Sequence, residues 1–186
     1  MRLFVAITLG PQVEAQARAG LERLQALAPQ ARWVPPDNLH LTLSFLGEVE
    51  PGRLLEVRLA LEEVGPAHGP LGLSIGGGGG FGDPHHPRVL WAGVGGDTRA
   101  LRALQADVAR TLQGLGFEFE SRDYVAHLTL ARARGPRGDR ELAACVQALQ
   151  GAHWGEARVE RLVLFESRHG RYLVQHEVPL GAPSAP

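Results

Sequence analysis

The chain contains no lysine; all 19 of its basic residues are arginine. That absence excludes a lysyl-nucleotide intermediate, a Schiff base and a phosphate loop of the GxxxxGK[ST] kind, each of which needs an ε-amino group. A single cysteine, Cys145, excludes an intrachain disulfide. Its place in the apolar helical pattern ELAACVQAL assigns it to the core rather than to nucleophilic chemistry. No apolar run is long enough to span a membrane, and the opening MRLFVAITLG is too short for a secretory signal. The expected location is therefore the cytoplasm, with no membrane partner. Excess charge is missing too. A formal net charge of −1 excludes a general duplex-DNA binder, while a local arginine cluster would still hold one nucleic-acid end. With 186 residues, 44% of them hydrophobic, the chain is sized for one domain or two small lobes around a shared core.

Threonine is also scarce, and two of the five stand in the same word. HLTL occurs at 40–43 and again at 127–130. Side chains alternate between the faces of a strand, so each copy buries its leucine pair and presents an imidazole beside a hydroxyl. His40 thus shares a face with Thr42, and His127 with Thr129. One such strand is explained by a polar solvent face. Two in matched positions of a repeat ask for more.

The surrounding pattern is such a repeat. LFVAITL (3–9) reads as a buried strand, and Pro11 opens a helix with Val13, Ala17, Leu21, Leu24 and Leu27 at helical spacing. The strand NLHLTLSFLG, a helix over 53–64 and a strand over 71–77 follow. The second half repeats the order: a strand at 88–94, a helix from an Asp97 N-cap to Gly114 or Gly116, the strand AHLTLAR, a helix at 139–151 and a further strand. VERLVLFES and RYLVQHEVPL are expected to pair as a terminal hairpin. APQARWVPPDN, GGGGGFGDPHHP (76–87), ARGPRGD and the tail GAPSAP read as loops. The repeat supports two related lobes, with half-repeats at roughly 1–80 and 86–180 of a single domain spanning 1–186.

Two imidazoles converging on one cleft suit general acid–base chemistry. With unperturbed pKa values near 6.5, one can be neutral and the other protonated at neutral pH. In-line displacement at phosphorus needs both: one group to activate the attacking oxygen, one to protonate the leaving oxygen. The threonine hydroxyls can donate to the non-bridging oxygens, where charge resides. Which imidazole is acid and which is base is not readable from these residues. A metal centre is the competing reading, but no acidic residue adjoins either motif, Glu48 and Asp123 being several positions away. No metal and no cofactor are expected, and adjacent His85 and His86 read as solvated loop residues.

Paired HxTx words half a chain apart resemble the two-histidine phosphoesterase superfamily. Within it the chain is most similar to the RNA 2′,3′-cyclic phosphodiesterases, historically called 2′-5′ RNA ligases. RLFVAITL, RWVPPDNLHLTLSFLGEV, PRVLWAGV, HLTLAR and LVLFESR…GRYLVQHEVPL carry the likeness over nearly the whole length. Ala126 departs from the proline usual before the second histidine. The resemblance implies an α+β, bilobal fold: two pseudo-symmetric lobes, each with an antiparallel sheet and helices packed outside, around a central, positively lined cleft holding both motifs. It implies hydrolysis of RNA 2′,3′-cyclic phosphate ends, tRNA fragments among the candidate substrates, to 2′-phosphomonoesters by a monomer. It makes His40 the proton donor, His127 the proton acceptor, and Thr42 and Thr129 the phosphate binders. Arg132, five residues beyond His127, either supplies charge to the phosphate or caps a strand end. Phe45, at the same offset from His40, is turned away by strict alternation. A bulge would aim it at a nucleobase; otherwise it is a core residue. Arg32, Trp33 and Tyr124 are candidates for the cleft entrance. Reverse 2′-5′ ligation, a cyclic phosphodiesterase acting on a small nucleotide and a non-catalytic RNA-end binder are the alternatives. GGGGGFG, with no lysine after it, reads as a flexible connection.

Overall fold

The computed structural model describes residues 1–119 and 123–181. In chain order its elements are β1 (Arg2–Ile7), α1 (Gly10–Leu27), β2 (Arg32–Trp33), β3 (Leu41–Glu48), α2 (Leu54–Val64), β4 (Leu71–Asp83), β5 (His86–Gly96), α3 (Thr98–Gly114), β6 (His127–Arg132), α4 (Arg140–Leu149), β7 (His153–Val159), β8 (Arg161–Arg168) and β9 (Arg171–Pro179). The α+β class and the antiparallel pairing expected from the sequence are what the chain adopts. Strands run in the order β7-β4-β5-β6-β3-β1-β8-β9, with β2 added beside β6.

The two halves of the sheet meet at one backbone pair, Leu41 with Leu128. Elements from the two halves of the chain are exchanged across that seam. β4, from the first half, pairs with β5 and β7. β8, from the second, pairs with β1. Helices cross in the same way. The buried face of α1 (Val13, Ala17, Leu21, Leu24) joins Leu142, Cys145 and Leu149 of α4 in one core. Val57, Leu61 and Val64 of α2 join Leu101, Leu104, Val108 and Leu112 of α3 in the other. Cys145 lies within the first core, its thiol reaching the Leu24 carbonyl at 3.5 Å. Burial pushes that thiol up to about 11, away from nucleophilic chemistry. β1 is apolar on both faces because both are covered. Leu3, Val5 and Ile7 face the helices, while Phe4 and Ala6 form a small second cluster with Val163 and Phe165.

The structure departs from the sequence reading in three places. Residues 76–87 are not a loop: β4 and β5 form a hairpin turning at Asp83–His86. The glycine run serves close approach. A Cβ on Gly78 would lie 2.3 Å from the Trp91 carbonyl oxygen, and one on Gly79 2.6 Å from the Trp91 ring. β7 escapes the sequence pattern because its register shifts between Ile75 and Gly76 of β4, so that Trp154 falls out of alternation. Asp97 precedes α3, but its carboxylate accepts the Gly72 N–H at 2.8 Å instead of capping the helix. The terminal hairpin forms as expected, from β8 and β9. Beyond Gly181 the tail lies outside the described residues.

Gly78→Ala is expected to cost about 2–4 kcal/mol, because its methyl meets backbone rather than a mobile side-chain end. Gly114→Ala, with nothing within 4 Å of the added carbon, is expected to stay within about 1 kcal/mol of wild type. Urea unfolding of the two variants measures the difference.

Candidate active site

Antiparallel pairing of Leu41 with Leu128 fixes the neighbours on either side: His40 is set against Thr129, and Thr42 against His127. Both leucines are fully buried toward the helices, so all four polar side chains lie on the opposite face. The seam therefore crosses the two HLTL words diagonally, each imidazole beside the other strand's threonine.

Each word also carries a bulge at the same letter. In β3, Ser44 pairs with Val5 and Thr42 with Ala6, leaving Leu43 unpaired. In β6, Ala131 pairs with Leu90 and Thr129 with Trp91, leaving Leu130 unpaired. One extra residue reverses the alternation that follows. Phe45 then pairs with Phe4 and Arg132 with Val89, and both rejoin the threonine face. Phe45 is 59% exposed, and Phe45, Arg132, Thr42 and His127 line one cavity of about 1070 Å³. Of the two readings of Phe45, the cleft residue is the one adopted.

The imidazoles are held alike. His40 Nδ1 lies 2.7 Å from the Asn38 carbonyl oxygen, and His127 Nδ1 lies 2.7 Å from that of Val125. A carbonyl oxygen only accepts, so each Nδ1 carries the hydrogen. Nε2, across the ring, is left as the nitrogen that gains and loses a proton. The walls differ. His40 packs against Phe4 (4.9 Å between ring centres) and edge-on with Tyr172 (5.0 Å), with Phe165 farther off. His127 meets Phe81 at right angles (4.9 Å), and Trp91 lies beyond.

Burial lowers the pKa of both histidines, and their carbonyl partners pull the other way. The Arg132 charge lowers both further, and for His40 so does His127. Arg132 therefore stands near both imidazoles. Both therefore favour the neutral form more than a free imidazole does, and an anionic ligand would offset the arginine's share of that shift.

Tyr124 lines the cavity with its hydroxyl committed to the Thr42 carbonyl at 3.1 Å, tying the approach to β6 onto β3. Its burial raises the phenol's pKa far beyond the physiological range. Arg32 also lines the cavity, and pairs with Arg132 through β2. Trp33 does not: its indole N–H donates to the Ala28 carbonyl at 2.9 Å and its ring joins the core. Sequence reasoning missed Phe4, Phe81 and Tyr172, which look like ordinary strand aromatics until the rings meet the histidines. It also missed Asn38, the chain's single asparagine, whose carbonyl orients His40 while its amide reaches the Gly170 carbonyl at 3.4 Å. Among the described residues no three His, Cys, Asp or Glu side chains are grouped to hold a metal ion. The backbone N–H groups of His85 and His86 donate to Asp83 in an exposed turn.

A sheet that sets two imidazoles and two hydroxyls on one face, with His127, Thr42 and Arg132 lining the cavity and His40 and Thr129 beside it on the same face, suits a phosphoesterase. Comparison with known proteins narrows the class. The family model described as LigT like Phosphoesterase matches residues 9–91 and 95–174. An RNA 2′,3′-cyclic phosphodiesterase of Methanothermobacter thermautotrophicus is 33% identical over 167 residues, 90% of each chain. That of Archaeoglobus fulgidus is 35% identical over 167 residues, covering 90% of this chain and 91% of the relative. The crystal structure of E. coli LigT complexed with 3′-AMP matches with a TM-score of 0.74 at 26% identity, over 96% of this chain and 97% of that one. The chain belongs to the LigT-like phosphoesterase family.

The histidine shifts make stability depend on pH. Folded values below the unfolded 6.5 mean that the unfolded chain binds more protons on acidification. The contribution is complete above about 6.5 and is lost as pH falls through the folded values. The double variant His40→Asn/His127→Asn is therefore expected to lose less melting temperature between pH 7 and pH 5 than the parent protein, measured calorimetrically in phosphate-free buffer.

Proposed function

We propose that the protein hydrolyses 2′,3′-cyclic phosphates at RNA 3′ ends to 2′-phosphomonoesters, without a metal ion, by a histidine pair. His127 Nε2 accepts the proton of the attacking water. His40 Nε2 gives its proton to the departing 3′ oxygen. One P–O bond forms, one breaks, and the 3′ hydroxyl and the 2′-phosphate are released. Thr42 and Thr129 donate to the non-bridging oxygens, Arg132 balances their charge, and Phe45 stacks on the terminal base. The protein acts on such RNA ends, tRNA fragments among them, as a cytoplasmic monomer with no cofactor. Its two half-repeats each supply one HxTx word to a single domain.

The observation that carries this reading is the matched tethering of both imidazoles. Each Nδ1–H is fixed by the carbonyl two residues upstream, which leaves Nε2 as the proton-exchanging nitrogen, and the strand register sets each histidine opposite the other strand's threonine. That provides two proton-transfer groups flanking a hydroxyl-lined space, the arrangement in-line attack requires. The assignment of roles between the two histidines follows the family resemblance. The relatives' names supply the substrate class.

An oligonucleotide ending in a 2′,3′-cyclic phosphate is expected to give only the 2′-phosphate, at undiminished rate in EDTA, as read by phosphorus NMR. Turnover that vanished in EDTA and returned with a divalent ion would overturn the metal-free mechanism. His40→Ala and His127→Ala are each expected to lower kcat by about 10²–10⁴-fold. The pH profile should be bell-shaped, and its alkaline limb should lie at higher pH for kcat than for kcat/KM. The bound phosphodiester anion holds the acid's proton, which the free enzyme, with Arg132 beside its histidines, releases more readily. Coincident limbs would contradict the charge balance described for Arg132.

A further inference from the structure

The cavity of about 1070 Å³ stands at the upper end of the ~300–1,000 Å³ usual for pockets that take one small ligand. Its lining mixes apolar and charged side chains, and β6 orders it. Asp123 and Val125 stand before the start of β6, and Glu118 and Phe119 line the same end. Arg132, Ala133 and Gly135 stand at and beyond its finish, with Arg32 and Arg88 beside them. Among the described residues the lining is acidic at one end and basic at the other, with His127 between.

The basic end is built for more than charge. Arg88 lies along β4, where Gly82 has no side chain; a Cβ there would sit 3.4 Å from Arg88 Nε. The Arg88 carbonyl accepts the Ala133 N–H at 2.9 Å, fastening this arginine's backbone to the continuation of β6. Arg32 braces the same continuation through the Ala133 and Arg134 carbonyls, both at 3.3 Å. Phe81, 36% exposed, lines the cavity beside them. Guanidinium groups with an open aromatic ring among them make the mixture that binds single-stranded nucleic acid, with charge following the backbone and a ring receiving a base.

We propose that this end of the cavity is a track for the RNA strand. Phosphates on the 5′ side of the terminal nucleotide lie on Arg88 and Arg32, and the penultimate base stacks on Phe81. The end carrying Glu118 and Asp123 admits no backbone, because its carboxylates repel phosphate. The track rests on the hydrolytic reading above for its direction, since the reacting end must sit at the histidines. Its ligand is a single-stranded RNA of several nucleotides rather than a mononucleotide.

Two arms test it. In the first, kcat/KM of Arg88→Ala is measured on adenosine 2′,3′-cyclic phosphate and on a hexanucleotide ending in a 2′,3′-cyclic phosphate. The hexanucleotide is expected to lose about 5–10-fold and the mononucleotide less than about twofold, as for loss of one phosphate contact remote from the chemistry. In the second, a hexanucleotide ending in a 3′-phosphate is bound to the parent protein, Arg88→Ala and Glu118→Gln over a range of salt, by fluorescence anisotropy. The slope of log K against log salt is expected to fall by about 0.7 for Arg88→Ala and to hold for Glu118→Gln. Equal losses on both substrates would put Arg88 at the reacting phosphate and overturn the track. So would an unchanged Arg88→Ala, or a Glu118→Gln variant that binds the hexanucleotide several-fold tighter. The binding arm needs no turnover. If the parent protein cleaves neither substrate, the hydrolytic reading fails on its own, while the slope still decides whether RNA lies on Arg88.

Discussion

One backbone pair holds the two halves of the sheet in register, and everything at the cleft depends on it. Leu41 and Leu128 bring β3 and β6 together at a single point. Continuous pairing there would make a flat sheet with no room between the motifs. No pairing would leave each histidine–threonine couple on its own lobe. A single contact, backed by leucines buried under the helices, lets the strands part on either side while fixing which polar residues face each other. The diagonal that results, with each imidazole beside the opposite threonine, is a matter of antiparallel register rather than of side-chain choice.

The twin bulges add the second layer. Placed on the last leucine of each HLTL word, they return the residue five positions after each histidine to the cleft face. What returns differs: an aromatic ring on β3, a guanidinium on β6. The histidines are likewise matched in backbone partner and unlike in surroundings, His40 packed among rings and His127 standing at the cavity wall. Near-symmetry supplies the pairing of groups, and departures from it supply the difference between them. An acid and a base cannot be equivalent at one pH, so that difference is required by the chemistry proposed here.

Much of this was legible in the letters. HLTL named four residues of one sheet face because scarce types recurred at a spacing only a strand explains, and the helix periods of α1 to α4 stood out from apolar spacing. Other features were not legible, for identifiable reasons. A bulge leaves no mark in sequence, so strict counting turned Phe45 away from the cleft and left Arg132 between two readings. Five consecutive glycines look like a connection, yet in β4 they are what Trp91 and its carbonyl need overhead. Trp154 and Gly155 break the alternation of β7 and hide the strand. Asn38 acts through its main-chain oxygen, which every residue type carries, and Phe4 and Tyr172 matter only by where other strands bring them. Pattern reports faces and periods; it does not report register between distant strands.

The exchange of elements across the seam has a consequence for how the protein comes to exist. β1 leaves the ribosome well before its partner β8, Val5 pairing with Leu164. α1 must likewise wait for α4 to complete its core. Neither half of the polypeptide can finish a sheet or a core by itself, so the nascent chain holds apolar strands open until β8 has been made. Domains commonly fold as units, N-terminal first, during synthesis. Here folding waits for the second half, and only a chain that carries both halves can bring the two histidines together.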